Sequence, residues 1–480
     1  MKKILNFIGG QHVPPVSGNY LEDICPMNGK PYALVPDSDE EDVNRAVEHA
    51  RQAFTVWSST PVSERARCMM KLAELIEKNQ EELAQAETLD NGKPITLSRK
   101  VDIPRASANF RFYANALLQM HEDAFPMDDV AINYTLHKPV GIAGCISPWN
   151  LPLYLFSWKV APALAAGCCV VSKPSELTPM TAFLMSYWIK EAGFPDGVFN
   201  IVHGLGAKAG NAIVSHPDIP AISFTGGTAT GKHIASVAAP MFKKLSLELG
   251  GKNPNIIFAD ADYEEMLKTT LLSSFSNQGQ ICLCGSRIYV EEPLYEKFKR
   301  DFVAKAKELT VGNPLDEKTK VGAVVSEAHK NKILNYIDLA KKEGGKILCG
   351  GEPYVPDGDL RNGYYIKPTI IEGLDIHCRV NQEEIFGPVV TLHSFKDEEE
   401  VIKYANGTKY GLSATIWTTH LSRAHRVASR LEAGIVWVNC WLLRDLRTPF
   451  GGMKQSGAGR EGGTQAIAFF TEEKNICIKI

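Results

Sequence analysis

A thiol stands at an unusual place in this chain. Cys282 follows Phe275-Ser276-Asn277-Gln278-Gly279-Gln280-Ile281 and precedes Leu283-Cys284-Gly285-Ser286-Arg287, where a helix expected from Tyr263 to about Asn277 gives out. A cysteine that only fills a core usually sits inside an apolar run, not behind flexible polar residues. The setting therefore suits a nucleophile, with a buried small hydrophobe as the competing reading. Upstream, Ser246-Leu247-Glu248-Leu249-Gly250-Gly251-Lys252 puts one carboxylate at the end of an apolar strand, before a double-Gly turn. Such a Glu either bonds loop amides or serves as a general base beside the thiol. Ser147-Pro148-Trp149-Asn150-Leu151-Pro152 holds an amide side chain between two prolines. That rigid backbone suits a pre-aimed oxyanion donor, although a plain turn residue would look the same.

Two further stretches have the chemistry of nucleotide recognition. Val171-Ser172-Lys173-Pro174-Ser175-Glu176 follows a buried strand, where open α/β sheets bind ligands, and its Lys and Glu could bond ribose hydroxyls. Phe224-Thr225-Gly226-Gly227-Thr228-Ala229-Thr230-Gly231 is a Gly-rich strand-to-helix turn whose free amides could face a pyrophosphate. It lacks the G-x-G-x-x-G spacing and is weak as a generic motif.

The elements that would position these residues follow from hydrophobic rhythm. Residues 1–37 read as short strands and turns. Helices are expected over Ser38 to Phe54, Pro61 to Ala86 and Ser98 to Met120. From Thr135 the chain alternates apolar strands with helices. Strands are expected at Gly141–Ile146, Cys168–Lys173, Val198–His203, Ala221–Phe224 and Pro254–Phe258, with a helix at Thr178–Ala192. A second series runs from Ile288 to Val438. Continuous apolar strands between helices predict an α/β fold with two doubly wound domains and parallel sheets covered on both faces. The expected division is 1–117 and 139–250 for cofactor binding and 251–450 for catalysis, with 118–138 and 465–480 forming a small β element for oligomerisation.

Bulk composition narrows the classes. With 480 residues and 44% hydrophobic content, the chain can bury two or three cores. A formal net charge of -3 gives no basic field for nucleic acid. Eleven scattered cysteines fit a reducing, cytoplasmic setting better than a disulfide framework. The longest small-apolar stretch, Val160 to Val171, is about half a membrane span, and no metal-ligand spacing occurs.

Taken together, the motifs resemble the aldehyde dehydrogenase superfamily over nearly the whole chain. The matching stretches are Ser147–Asn150, Lys173–Glu176, Phe224–Gly226, Leu247–Lys252, Asn277–Cys282, Glu383-Glu384-Ile385-Phe386-Gly387-Pro388 and Pro449-Phe450-Gly451-Gly452. The resemblance implies that Cys282, not Cys284, is the nucleophile. It implies that Asn150 and the Cys282 amide form the oxyanion hole, and that Glu248 activates the deacylating water. It also implies an NAD site: Lys173, Glu176 and Glu384 at ribose, Phe386 by the nicotinamide, and Ile146, Ser147, Pro148, Trp149, Ser175, Phe224, Thr225, Gly226, Gly227, Gly231, Leu249 and Gly250 around them. Glu176 would repel a 2′-phosphate and so favours NAD over NADP.

For the substrate, alignment on the family puts Arg105 and Arg444 where many members carry apolar tunnel residues. Two arginines in one tunnel would bind a distal carboxylate; the bland alternative is two solvated surface charges. Leu151, Tyr154 and Trp158 are expected along the same tunnel, the two aromatics as a wall that could stack a planar diene. Asp102-Ile103-Pro104-Arg105 and Asn439-Cys440-Trp441-Leu442-Leu443-Arg444 look most like the muconate-semialdehyde branch. That likeness implies NAD-dependent oxidation of 2-aminomuconate 6-semialdehyde, or its 2-hydroxy analogue, by a homodimer or homotetramer. A broad aliphatic, betaine-type or retinal-type enzyme is the alternative. A non-catalytic relative would have no need of the intact Cys282, Glu248 and Asn150.

Overall fold

Runs that are apolar on both faces pair as parallel strands in the computed structural model, which describes residues 1–480. The first sheet has eight strands. Its parallel centre runs Lys244–Glu248, Ala221–Thr225, Ile142–Ile146, Cys169–Lys173 and Phe199–Ile201, in that spatial order. Antiparallel strands close both sides: Gly457–Ala458 beside Lys244–Glu248, and Asn6–Ile8 beside Phe199–Ile201. Strand order reverses between Ile142–Ile146 and Ala221–Thr225, which is the switch point where such sheets open a ligand crevice beyond the carboxyl ends. Asn150 and Gly226 lie just past those ends.

The second sheet has seven strands, ordered Lys346–Cys349, Thr369–Glu372, Val389–Phe395, Arg287–Glu291, Pro254–Ile257, Ser413–Trp417 and Ile435–Val438. All pairs are parallel except that of Lys346–Cys349. Glu248 ends a strand of the first sheet, whereas Cys282 lies in the turn before Arg287–Glu291 of the second. The thiol therefore arrives at the amino end of one sheet and the carboxylate at the carboxyl end of the other. Ser456 helps to clamp this junction: its hydroxyl donates to the Gly250 carbonyl at 2.7 Å and accepts from the Gly411 amide at 2.9 Å.

A third, antiparallel sheet joins Thr471–Lys479, Ala131–Pro139 and Ala124–Met127. Its C-terminal strand, Thr471–Lys479, lies within the expected 465–480 segment. Other boundaries shift for local reasons. The expected helix over 61–86 divides at Asn79, whose side-chain amide bonds the Leu75 carbonyl at 2.8 Å, giving Val62–Lys78 and Gln80–Asn91. The helix expected from Thr178 is only Met180–Ser186; there the Ser186 hydroxyl turns back on Phe183 at 2.5 Å. The helix expected from Ser98 opens as a π-turn, Ser98–Asp102, before Ile103–Leu117. No helix is long and apolar enough to cross a membrane.

Candidate active site

The helix Tyr263–Phe275 ends two residues earlier than the sequence suggested, and a tight turn, Ser276–Gly279, delivers the thiol. Asn277 and Gln278 both adopt left-handed backbone, with φ of 50° and 56°. This is a costly conformation for residues with a Cβ, held here by buried side-chain bonds. The Gln278 amide donates to Ala323 O at 2.8 Å and Asn277 Nδ2 donates to Asn150 O at 2.9 Å.

Cys282 and Glu248 meet. The thiol Sγ donates to Glu248 Oε1 at 3.4 Å, and Thr225 Oγ1 donates to Oε2 at 3.0 Å. Burial raises the Glu248 pKa to about 7, and the nearby Glu461 carboxylate adds to the rise. A carboxylate with that value is poised to accept a proton near neutrality. Burial also pushes the Cys282 thiol well up, with the Glu248 charge next in size. The resting thiol therefore keeps its proton and directs it at the carboxylate.

Asn150 is buried, with Nδ2 donating to Gln280 O at 2.9 Å. That fixes the carboxamide beside the Cys282 turn and leaves its second N–H free. The Cys282 main-chain N–H has no partner in the protein. Two open donors beside one thiol is the arrangement that stabilises a developing oxyanion.

Two cavities converge on Cys282. One, of about 270 Å³, is lined by Pro148, Trp149, Asn150, Thr225, Gly226, Gly227, Leu249, Gly250, Glu384 and Phe386, together with His329 and Lys332. Ile146 and Phe224 lie on an adjoining cavity bounded by the helix Thr228–Ala238. A dinucleotide fits this surface by its chemistry. The first intrahelical bond there is Gly231 N–H to Gly227 O, so the amides of 228–230 ahead of it are free to meet phosphate. At Gly227, a Cβ would point into open space. Gly231 itself has a different role: its amide is already spent, and a Cβ there would lie 2.4 Å from Leu249, so it is a packing glycine.

Lys173 is likewise committed. Its ammonium donates to Pro174 O and Gly204 O at 2.9 Å and to Glu176 Oε2 at 3.1 Å, which uses all three protons. Glu176, with a 29% exposed side chain, is the accessible member of that pair. Ser175 is buried and accepts from the Leu177 amide, while the buried Ser147 hydroxyl has no partner. Glu384 accepts from the Gly251 amide at 2.9 Å. Phe386 holds a φ of 63°, with its ring edge-on to Trp149 at 5.3 Å. Burial lowers the His329 pKa to about 4, so the ring is neutral and Nε2 carries the proton bonded to Phe386 O at 2.7 Å.

The second cavity, of about 380 Å³, holds Cys282 and Glu248 at one end and Arg105 and Arg444 in its wall, with Leu151, Tyr154, Leu155, Ile281, Leu283, Leu442 and Phe450 around them. Arg444 Nη1 donates to the Tyr154 hydroxyl at 3.0 Å, and its guanidinium lies 4.0 Å from the Phe450 ring centroid. Arg105 lies over the Tyr154 ring at 5.5 Å, and its enclosed Nε and Nη2 have no hydrogen-bond partner. Buried guanidinium donors without acceptors are rare because desolvation is not repaid. The expected aromatic wall differs in one respect. Trp158 is buried a layer behind, under Arg444 at 5.2 Å and edge-on to Phe450, and it does not line the cavity. Tyr154 lines it, but its ring faces Arg105.

Sequence reasoning passed over the buried Lys159–Glu461 ion pair, 2.8 Å apart and bonded to Ser223, which sets the field behind Glu248. A lysine inside the otherwise apolar Pro152–Ala166 helix was the available signal. It also passed over His329 and Lys332, which carry no local motif.

The model of the aldehyde dehydrogenase family matches residues 12–476. A zebrafish (Danio rerio) protein named 2-aminomuconic semialdehyde dehydrogenase is 52% identical over 478 residues, covering 99% of this chain and 98% of its own. A Pseudomonas sp. (strain CF600) protein named 2-hydroxymuconic semialdehyde dehydrogenase is 46% identical, with 100% of both chains covered. The NAD+ complex structure of aldehyde dehydrogenase from Bacillus cereus superposes with a TM-score of 0.97 at 42% identity, covering 100% of this chain and 97% of that one.

Proposed function

The chain belongs to the aldehyde dehydrogenase family, and from that premise we propose that it oxidises a carboxylate-bearing unsaturated semialdehyde to the dicarboxylic acid with NAD. The substrate is of the 2-aminomuconate or 2-hydroxymuconate 6-semialdehyde kind, the compounds after which the Danio rerio and Pseudomonas relatives are named. One observation carries the substrate reading: two guanidinium groups share the cavity of Cys282 and Glu248, and no carboxylate of the protein pairs with either.

In this reading Glu248 takes the thiol proton and the sulfur attacks the aldehyde carbon. The carbonyl pair becomes an oxyanion received by the Cys282 N–H and Asn150 Nδ2, a kind of donor worth about 10²–10³ in rate each. The dinucleotide, when bound, supplies the acceptor for the hydride. Glu248, having shed its proton to solvent, deprotonates a water that adds to the thioester carbon. Carbon–sulfur cleavage then frees the acid and restores the thiol. Arg105 and Arg444 hold the far carboxylate throughout, and the apolar wall keeps bulk water out. We also assign the three-stranded sheet to homodimer or homotetramer assembly, and a reducing, cytoplasmic setting fits eleven unpaired cysteines.

The test compares kcat/KM for 2-hydroxymuconate 6-semialdehyde and hexanal. The expected preference is about 100-fold, or ~2.7 kcal/mol, shrinking toward parity in Arg105→Ala and Arg444→Ala. Comparable values in the unmodified enzyme would overturn the substrate assignment while leaving the dehydrogenase reading in place.

A further inference from the structure

Lys93 is wholly buried between Gly92, a left-handed helix terminator with φ of 82°, and Pro94. Its ammonium donates to Asp102 Oδ2 at 2.8 Å and to the main-chain oxygen of Asn150 at 3.0 Å, and faces Glu87 Oε1 at 3.6 Å. The other Glu87 oxygen accepts from the Leu153 amide at 3.4 Å, in the first turn of the helix that follows Asn150. Further donors converge on the same short stretch: Asn277 Nδ2 on Asn150 O at 2.9 Å and Asn91 Nδ2 on Trp149 O at 2.8 Å. A buried loop carbonyl is satisfied by one donor. Here an ammonium and an amide are both spent on Asn150 O, which is how a backbone conformation is held against alternatives.

The network has a second end. Asp102 closes the π-turn Ser98–Asp102, and the helix after it carries Arg105 in its first turn. One ion cluster thus grips the segment that presents the carboxamide to the aldehyde carbon and the segment that presents a guanidinium to the far end of the cavity.

We propose that Lys93 is a positioning residue, whose ammonium fixes the Asn150 backbone so that its carboxamide meets the developing oxyanion. The inference rests on the role given to Asn150 above. It is distinct from a mere structural ion pair because its effect must pass through Asn150.

A double-mutant cycle tests it. Lys93→Met leaves Glu87 and Asp102 without their cation, so Lys93→Met/Asp102→Leu, which removes the pair as a unit, is made beside it. Each is placed in the unmodified enzyme and on an Asn150→Ala background. Single-turnover NADH formation is read with 2-hydroxymuconate 6-semialdehyde and with hexanal, alongside the Kd for NAD. The expected result is a hydride step slowed about 10²-fold on hexanal, which has no carboxylate for Arg105, with NAD affinity unchanged and no further loss of the hexanal rate on Asn150→Ala. The semialdehyde also reads the Arg105 segment and loses at least as much. Losses that multiply on that background, or an unaltered hydride step, would overturn the proposal. NADH formation by the unmodified enzyme is the separate control on the reaction itself. Its absence would sink the dehydrogenase reading and this inference together, whereas multiplying losses in an active enzyme sink the inference alone.

Discussion

In the proposed reaction Glu248 acts as a base from a position where its charge is poorly solvated, and burial that raises its pKa to about 7 is the measure of that compromise. Only the ionised form accepts a proton, so steady-state kcat should fall about tenfold per pH unit below 7 and level off above it. In Glu248→Gln that acid limb should flatten and turnover should drop by about 10²–10⁴-fold. The NADH burst of the first turnover should slow as well, because the same carboxylate takes the thiol proton, although its removal also relieves the repulsion of the Cys282 thiolate. A burst at the unmodified rate would confine Glu248 to thioester hydrolysis. At this scale the sequence was informative wherever one residue contradicts its surroundings: a thiol behind polar residues, a Glu at an apolar strand end, an Arg in Trp441-Leu442-Leu443-Arg444. It was silent where meaning comes from contact. Lys93 and Asn150 are 57 residues apart and Lys159 and Glu461 are 302 apart; Lys159 stands out in its apolar helix, but nothing local names the partner in either pair.

Among the elements, the turn Ser276–Gly279 matters most, since a displacement there moves the Cys282 thiol. Gly279 has φ of 69°, and a Cβ would sit 2.1 Å from Gly387 O, a backbone atom that cannot swing aside. Gly279→Ala should therefore cost more than about 1 kcal/mol of stability. It should also change the rate of Cys282 alkylation at temperatures well below the melt; an unchanged rate would mean that the thiol's position does not depend on this turn. Strands were the most legible elements, because a strand buried on both faces, such as Cys169–Lys173, is an uninterrupted apolar run whatever it packs against. Helix ends were less so. The break at Asn79 and the π-turn at Ser98–Asp102 depend on individual hydrogen bonds and on the ion cluster around Lys93, which periodicity does not record.

For the whole molecule, the edge strand Ala124–Met127 leaves Phe125 54% and Met127 50% exposed, and its outer edge is unpaired. Such an edge invites a second copy. Sedimentation should give a mass that is an integer multiple of 52.8 kDa, and Phe125→Glu/Met127→Glu should shift it downward. A monomer at micromolar concentration would remove the sheet from any role in assembly. Finally, Cys282 lines two cavities that approach it from different directions. The molecule is a thoroughfare with its reactive sulfur at the midpoint. In the proposed reaction the acid lies in one cavity and the spent dinucleotide in the other, so departure of one need not await the other. A single inhibitor threaded past the sulfur, with a carboxylate reaching the arginines on one side and an aromatic amide beside Trp149 on the other, would occupy both passages. It would draw on the local concentration that comes from tethering two weak binders together.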